Sequence, residues 1–139
     1  MLIVNKDWTK RIECPCTFRT CYMICRGICI GEITEEKNDA LETDYIFKIY
    51  YDKWELAGEP DIDGINTDLR LKEYVRNGII PQFISIRVPP DGREDIPEKM
   101  ERVGMKGEWD FWEFMIRNRG RCTCSDVRVG RTPDDYIPE

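Results

Sequence analysis

Two apolar stretches on either side of the dipeptide Arg26-Gly27 constrain the fold of this chain more than any other feature. "TFRTCYMIC" precedes the dipeptide and "ICIGEIT" follows it, and in the first stretch Cys21, Met23 and Cys25 fall on one face of a strand. A glycine in the second loop position supplies the positive φ that a two-residue hairpin turn needs. The sequence therefore predicts an antiparallel pair of strands, apolar on both faces, within a small sheet or barrel.

The rest of the chain divides into shorter elements. The stretch 44–56, "DYIFKIYYDKWEL", alternates apolar side chains and predicts the strongest strand. Cap residues, first-turn prolines and glycine stops indicate helices, whereas β-rich stretches indicate further strands. The predicted helices cover 68–77, with Asn66 or Thr67 as cap, 95–104 and 110–120, and the predicted strands cover 79–90 and 121–129.

Strands early in the chain and helices late in it are typical of an α+β domain. We expect a small antiparallel sheet or partly open barrel with three short helices. The length suits a single compact domain over 1–131, followed by an acidic, mobile tail at 132–139. The periodicities predict these core residues: Phe47, Ile49, Ile84, Met100, Phe111 and Met115.

The stretch 21–56 resembles the amino-terminal subdomain of HipA-type kinases, in which a strand, a tight turn and a second strand precede an aromatic strand. The residues that carry the resemblance are Gly27, Gly31, Phe47, Tyr51, Asp52, Trp54 and Leu56. The resemblance implies a small β-rich accessory module. It implies no kinase activity, because the chain has no counterpart to the family's catalytic machinery and is too short to contain it.

The absence of histidine narrows the chemistry that the chain can perform. Catalysis of the Ser-His-Asp or Cys-His kind is excluded, and neither of the two serines lies in a Gly-x-Ser-x-Gly turn. The sequence also lacks a phosphate-binding loop and a Cys-x-x-Cys redox motif. We therefore expect no enzyme, with an activity based on Asp, Glu, Cys or Arg as the remaining alternative.

The seven cysteines suggest one cofactor. Two Cys-x-Cys pairs, Cys14 with Cys16 and Cys122 with Cys124, could converge on a structural zinc ion if they lie on neighbouring strands. The alternative is that cysteines act as small buried hydrophobic residues, which suits the remaining three in the hairpin. The expected cofactor is thus either none or structural zinc.

A cluster of arginines is the candidate binding site. Between residues 115 and 131 five arginines oppose only Asp126, a local charge of +4 in a chain of net charge −6. They are Arg117, Arg119, Arg121, Arg128 and Arg131. Guanidinium groups bind carboxylates and phosphates well, although the same charges also serve as solvated surface. Tyr50 and Trp54 are further candidates, as rings that stack on bases or anchor a partner.

These features favour a binding function over catalysis. The net negative charge opposes bulk nucleic-acid binding, no apolar run is long enough to span a membrane, and no signal peptide is evident, so we expect a cytoplasmic protein. We expect a bacterial or phage binding module that acts on a protein partner as an inhibitor, regulator or accessory subunit. The alternative is a module that binds a nucleotide or single-stranded nucleic acid through the arginines at 117–131.

Overall fold

One antiparallel sheet organises the protein. The computed structural model describes residues 18–37, 42–70, 72–75 and 79–135. Their elements are β1 (Phe18–Cys25), β2 (Ile28–Lys37), β3 (Thr43–Ile49), α1 (Tyr51–Leu56), a 3₁₀ turn (Thr67–Leu69), β4 (Glu73–Val75), α2 (Gln82–Ser85), α3 (Ile96–Arg102), α4 (Phe111–Arg117) and β5 (Arg128–Gly130). The strands form an open sheet in the order β4-β3-β2-β1-β5. The predicted α+β class and antiparallel sheet are confirmed, with four short α-helices in the described residues rather than three.

The hairpin of β1 and β2 forms as the sequence predicts. Arg26 and Gly27 have φ values of 52° and 79°, the pair of positive angles that defines the tight hairpin turn matching the twist of the strands. The register shifts between Met23 and Ile24, where a bulge interrupts the pairing. Gly31 is required in β2, because a Cβ there would lie 2.5 Å from the carbonyl oxygen of Lys48.

The core lies between one face of this sheet and the helices. Phe47 of β3 meets Phe83 of α2 edge to face at 6.0 Å, and Tyr45 stacks on Trp112 of α4 at 6.3 Å. Burial confirms four predicted core residues: Phe47, Ile49, Ile84 and Met115. The prediction for Met100 and Phe111 is wrong in part, because both are only half-buried and line surface clefts.

The strand predicted over 44–56 ends early. Pairing with β2 stops at Ile49, and the chain then turns into α1. The rings of Tyr51 and Trp54 pack edge to face with their centroids 5.5 Å apart. Residues three apart are neighbours on a helix but point to opposite faces of a strand, so this contact favours the helical turn.

The helix predicted over 68–77 is also wrong. Asn66 caps a short 3₁₀ turn, its side-chain oxygen accepting the N–H of Asp68 at 3.0 Å, but Arg70 then adopts φ 54° and ψ 40° and ends the turn. The following residues 73–75 add a short edge strand beside β3. Local propensity favours a helix here, but the chain instead pairs with the available edge of the sheet.

Two predicted strands are mostly not extended. Within 79–90 the chain forms α2, which begins after Pro81, and within 121–129 only Arg128 and Val129 lie in a strand. The buried Arg87 holds both segments in these conformations. Its guanidinium donates to the carbonyl oxygens of Phe83 (2.8 Å), Gly120 (2.9 Å) and Val127 (3.0 Å). The same group lies 3.7 Å from the centre of the Phe83 ring. It ties α2 to the irregular segment before β5.

Candidate anion-binding cleft

The end of α4, the turn after it and the residues that follow β5 border a surface cleft of about 250 Å³. Three of the five arginines singled out by the sequence line this cleft, which we call the arginine cleft. Its lining residues are Ile116, Arg117, Arg119, Val129, Gly130, Arg131 and Asp135. The clustering predicted from the sequence is thus present for Arg117, Arg119 and Arg131.

The backbone conformation around Arg119 determines where its side chain leaves the turn after α4. After the C-cap Asn118, both Arg119 and Gly120 adopt left-handed conformations, with φ values of 61° and 65°. The carbonyl oxygen of Arg119 accepts the N–H of Val129 at 2.9 Å, which ties the turn to β5. Glycine is the residue usually found in this conformation at helix ends, so an arginine here carries a conformational cost.

One glutamate forms ion pairs with two of the three arginines in the cleft. Glu113 of α4 accepts the Nε–H of Arg117 at 2.8 Å, and its two oxygens accept from Arg131 at 2.9 and 3.3 Å. The hydrogen bonds from Arg131 and Arg117 hold the pKa of the Glu113 carboxyl below its usual range. Arg117 also donates to the carbonyl oxygen of Gly104 at 3.0 Å, so its guanidinium already has partners within the protein.

Arg119 differs from its two neighbours. Its side chain is exposed, and within the described part of the chain it makes no hydrogen bond or ion pair. Among the described residues, three arginines and Asp135 line the cleft; with Glu113, which pairs with two of these arginines, the net charge is +1. The cleft therefore has an excess of positive charge, and the exposed guanidinium of Arg119 is accessible to a ligand.

Asp135 forms the other charged wall of the cleft. Its carboxylate accepts the backbone N–H groups of Arg131 (2.7 Å) and Thr132 (3.2 Å) and the hydroxyl of Thr132 (2.8 Å). These hydrogen bonds, first that of the Thr132 hydroxyl, hold the pKa of Asp135 below its usual range, and the charge of Arg119 adds to the effect. Gly130 makes room, because a Cβ there would lie 2.8 Å from the Asp135 side chain.

The other two arginines of the predicted cluster do not line the cleft. Arg128 donates to the carbonyl oxygen of Ser125 at 2.8 Å and is half-buried, whereas Arg121 is exposed in the turn after α4. The five arginines therefore do not form one surface, because the segment between Arg121 and Arg128 is irregular rather than a continuous strand.

The two predicted aromatic contacts also lie elsewhere. The hydroxyl of Tyr50 donates to a carboxylate oxygen of Glu32, on a part of the sheet outside the cleft. Trp54 is 8% exposed, and its indole N–H donates to the carbonyl oxygen of Pro60 at 2.8 Å. The expectation that Trp54 stacks on a ligand does not fit this burial, because its ring already packs in the core.

The zinc hypothesis concerns two residues, Cys14 and Cys16, that lie outside the described residues. Their proposed partners are accessible to different degrees, Cys122 being half-buried and Cys124 exposed. Across 18–37, 42–70, 72–75 and 79–135, no three Cys, Asp or Glu side chains are grouped so as to hold a metal ion. The zinc site stays a prediction.

Two residues of the site, Glu113 and Asp135, were not predicted from the sequence. Each has a signal that could have identified it. Glu113 lies four residues before Arg117 on α4, the spacing of a helical ion pair. Thr132 and Asp135 form a Thr-x-x-Asp pattern, in which the last side chain bonds back to the first backbone N–H as in a capping box.

No family model, curated protein or solved structure matches this chain. The resemblance of 21–56 to HipA-type kinases therefore rests on the residues quoted for it. Among the described helices, none has the length and apolar character needed to cross a membrane.

Proposed function

We propose that the chain is a non-catalytic binding module that recognises an anionic group of a protein partner through the arginine cleft. The observation that carries the proposal is Arg119, an exposed guanidinium with no hydrogen bond or ion pair to the described residues, at a backbone position that favours glycine. A residue kept in an unfavourable conformation whose side chain has no hydrogen bond or ion pair is a candidate for function. The chain would then act as an inhibitor, regulator or accessory subunit of its partner.

Charge favours a protein partner over a nucleic acid. Nucleic-acid binding depends on neutralising several phosphates, whereas the described residues of the cleft together with Glu113 have a net charge of +1 and the whole chain has −6. Among the described residues no aromatic side chain lines the cleft, so these residues offer a base no ring to stack on. A nucleotide or a single strand bound by the same arginines is the alternative.

The test compares Arg119→Gly with Arg121→Ala. Both substitutions remove one exposed arginine, so the change in net charge is the same, but only Arg119 lines the cleft. The probes are a fluorescein-labelled deca-aspartate peptide and a labelled deca-thymidylate, measured by anisotropy at low and high salt. We expect the peptide to bind the parent chain and Arg121→Ala, and to lose affinity for Arg119→Gly at least tenfold.

Stability separates binding from folding in this comparison. Glycine suits the left-handed position, so Arg119→Gly should unfold at the same temperature as the parent chain or a higher one. Equal peptide affinity in both variants would contradict the proposal. Tighter binding of the deca-thymidylate than of the peptide, with a steep loss of affinity in salt, would favour the nucleic-acid alternative.

A further inference from the structure

The proposed function leaves open which anion the arginine cleft accepts and why the cleft already contains one. Resting on that proposal, we infer that the arginine cleft recognises a carboxylate of the partner, and that the chain's own Asp135 carboxylate, a fixed negative charge in the same cleft, opposes its binding. The charge of Asp135 then lowers the affinity of the module for its partner.

The first support is that the Asp135 carboxylate is built into the wall of the cleft. Two backbone N–H groups and one hydroxyl hold it at 2.7 to 3.2 Å. Pro133 follows Thr132 and restricts the turn that brings Asp135 back to these donors. Gly130 lies beneath the carboxylate with no side chain to displace it. The chain thus presents a fixed negative charge in the same cleft as Arg119.

The second support is the charge that an incoming ligand would meet. With Asp135 ionised, the described residues of the cleft together with Glu113 have a net charge of +1, which one carboxylate balances. A phosphate monoester carries a charge near −2 at neutral pH, which exceeds this surplus. A carboxylate therefore fits the cleft better than a phosphate. Removing the charge of Asp135 would strengthen the attraction of Arg119 for either anion.

The experiment compares Asp135→Asn with Asp134→Asn. Both remove one negative charge from neighbouring residues, but only Asp135 lines the cleft. The new amide in Asp135→Asn keeps an oxygen that can accept from the backbone. The probes are the deca-aspartate peptide and inorganic phosphate, titrated into the full chain by NMR. We expect Asp135→Asn to tighten peptide binding about threefold or more, as for a like charge removed within a few ångströms in water. Asp134→Asn should change it less than twofold.

Each outcome bears on a different statement. If Asp135→Asn binds the peptide no better than Asp134→Asn, or if phosphate binds more tightly than the peptide, the inference is overturned while the arginine cleft can still be a binding site. If Arg119→Gly fails to lower the affinity for the peptide, both with Asp135 present and in Asp135→Asn, the proposed function itself is overturned. Should Asp135→Asn not fold, Asp135→Ser provides the same loss of charge with a smaller acceptor.

Discussion

Arg87 and Arg119 show how differently one residue type can be used in this chain. Arg87 has a fully buried side chain and donates to three backbone carbonyl oxygens, with a carboxylate oxygen of Asp63 3.6 Å away. Burial lowers the pKa of Arg87, and the charge of Asp63 partly opposes this effect. Arg119 is exposed and makes none of these contacts. The first arginine organises the fold, and the second is available to a partner.

At the residue scale we predict that Arg87→Lys destabilises the protein by about 3 kcal/mol, the order expected when buried acceptors lose a charged donor. A lysine presents one ammonium and cannot reproduce the planar fork that reaches three separate carbonyl oxygens. Urea unfolding monitored by tryptophan fluorescence measures the change. Arg93→Lys is the control, because Arg93 is exposed and, among the described residues, its side chain pairs only with Asp95.

An unchanged urea midpoint for Arg87→Lys would mean that the three carbonyl oxygens find other donors. The contribution of Arg87 to the segment before β5 would then be small.

At the scale of elements, one carboxylate connects the sheet to α4. Asp110 is the N-cap of α4, where it accepts the N–H of Trp112 at 3.1 Å, and it also pairs with Arg19 of β1 at 2.5 Å. Burial opposes ionisation of Asp110, but the hydrogen bond and charge of Arg19 outweigh it and hold the pKa below its usual range. The ionised form therefore stabilises the folded state.

The sign of the pH effect follows from this lowered pKa. The contribution of Asp110 is fully present above the pKa of the unfolded chain, about 4, and is lost as the pH falls through the lower pKa of the folded state. We predict that Asp110→Asn lowers stability at pH 7 by up to about 1 kcal/mol, because the pair is partly exposed. The difference from the parent chain should disappear near pH 2, as followed by urea midpoints across the range.

Asp61→Asn serves as the matched control for the pH series, since Asp61 is exposed and has no partner in the described residues. A difference for Asp110→Asn that persists unchanged at pH 2 would assign its effect to the cap rather than to the charge.

The same scale shows which elements were predictable from the sequence. The hairpin and α4 follow local rules, because Gly27 permits the turn and Asp110 caps the helix. The elements that were predicted wrongly depend on contacts between residues that are distant in sequence. Residues 73–75 become a strand only because β3 offers an edge, and the segment before β5 is held by Arg87, which lies more than thirty residues away. Local propensity contains no information about such partners.

The candidate site divides in the same way. A run of arginines is visible in the sequence and predicted three residues of the arginine cleft. Which arginine stays unpaired depends on Glu113 lying between Arg117 and Arg131, and on Asp135 returning to β5. Those arrangements need the turn between α4 and β5, whose shape no local pattern specifies.

At the scale of the whole molecule, the burial of a side chain predicts how much the stability of the protein depends on it. Phe47 is fully buried and contacts the ring of Phe83, so Phe47→Ala should cost about 3–5 kcal/mol through lost burial and the cavity left behind. Leu56 is 70% exposed, and Leu56→Ala should change stability by less than about 0.5 kcal/mol. Urea denaturation measures both. A small effect of Phe47→Ala would show that the core repacks around the missing ring.

Because the hairpin cysteines are buried, the rate at which they react with a thiol reagent reports how often the folded protein opens. Cys21 and Cys25 are fully buried and Cys124 is exposed, and none of the three is in a disulfide. Burial raises the pKa of the Cys21 thiol, which keeps the unreactive protonated form. A thiol reagent should therefore label Cys124 at once but Cys21 only when the sheet separates from the helices. Mass spectrometry of timed samples would then distinguish local fluctuation near the surface from global unfolding.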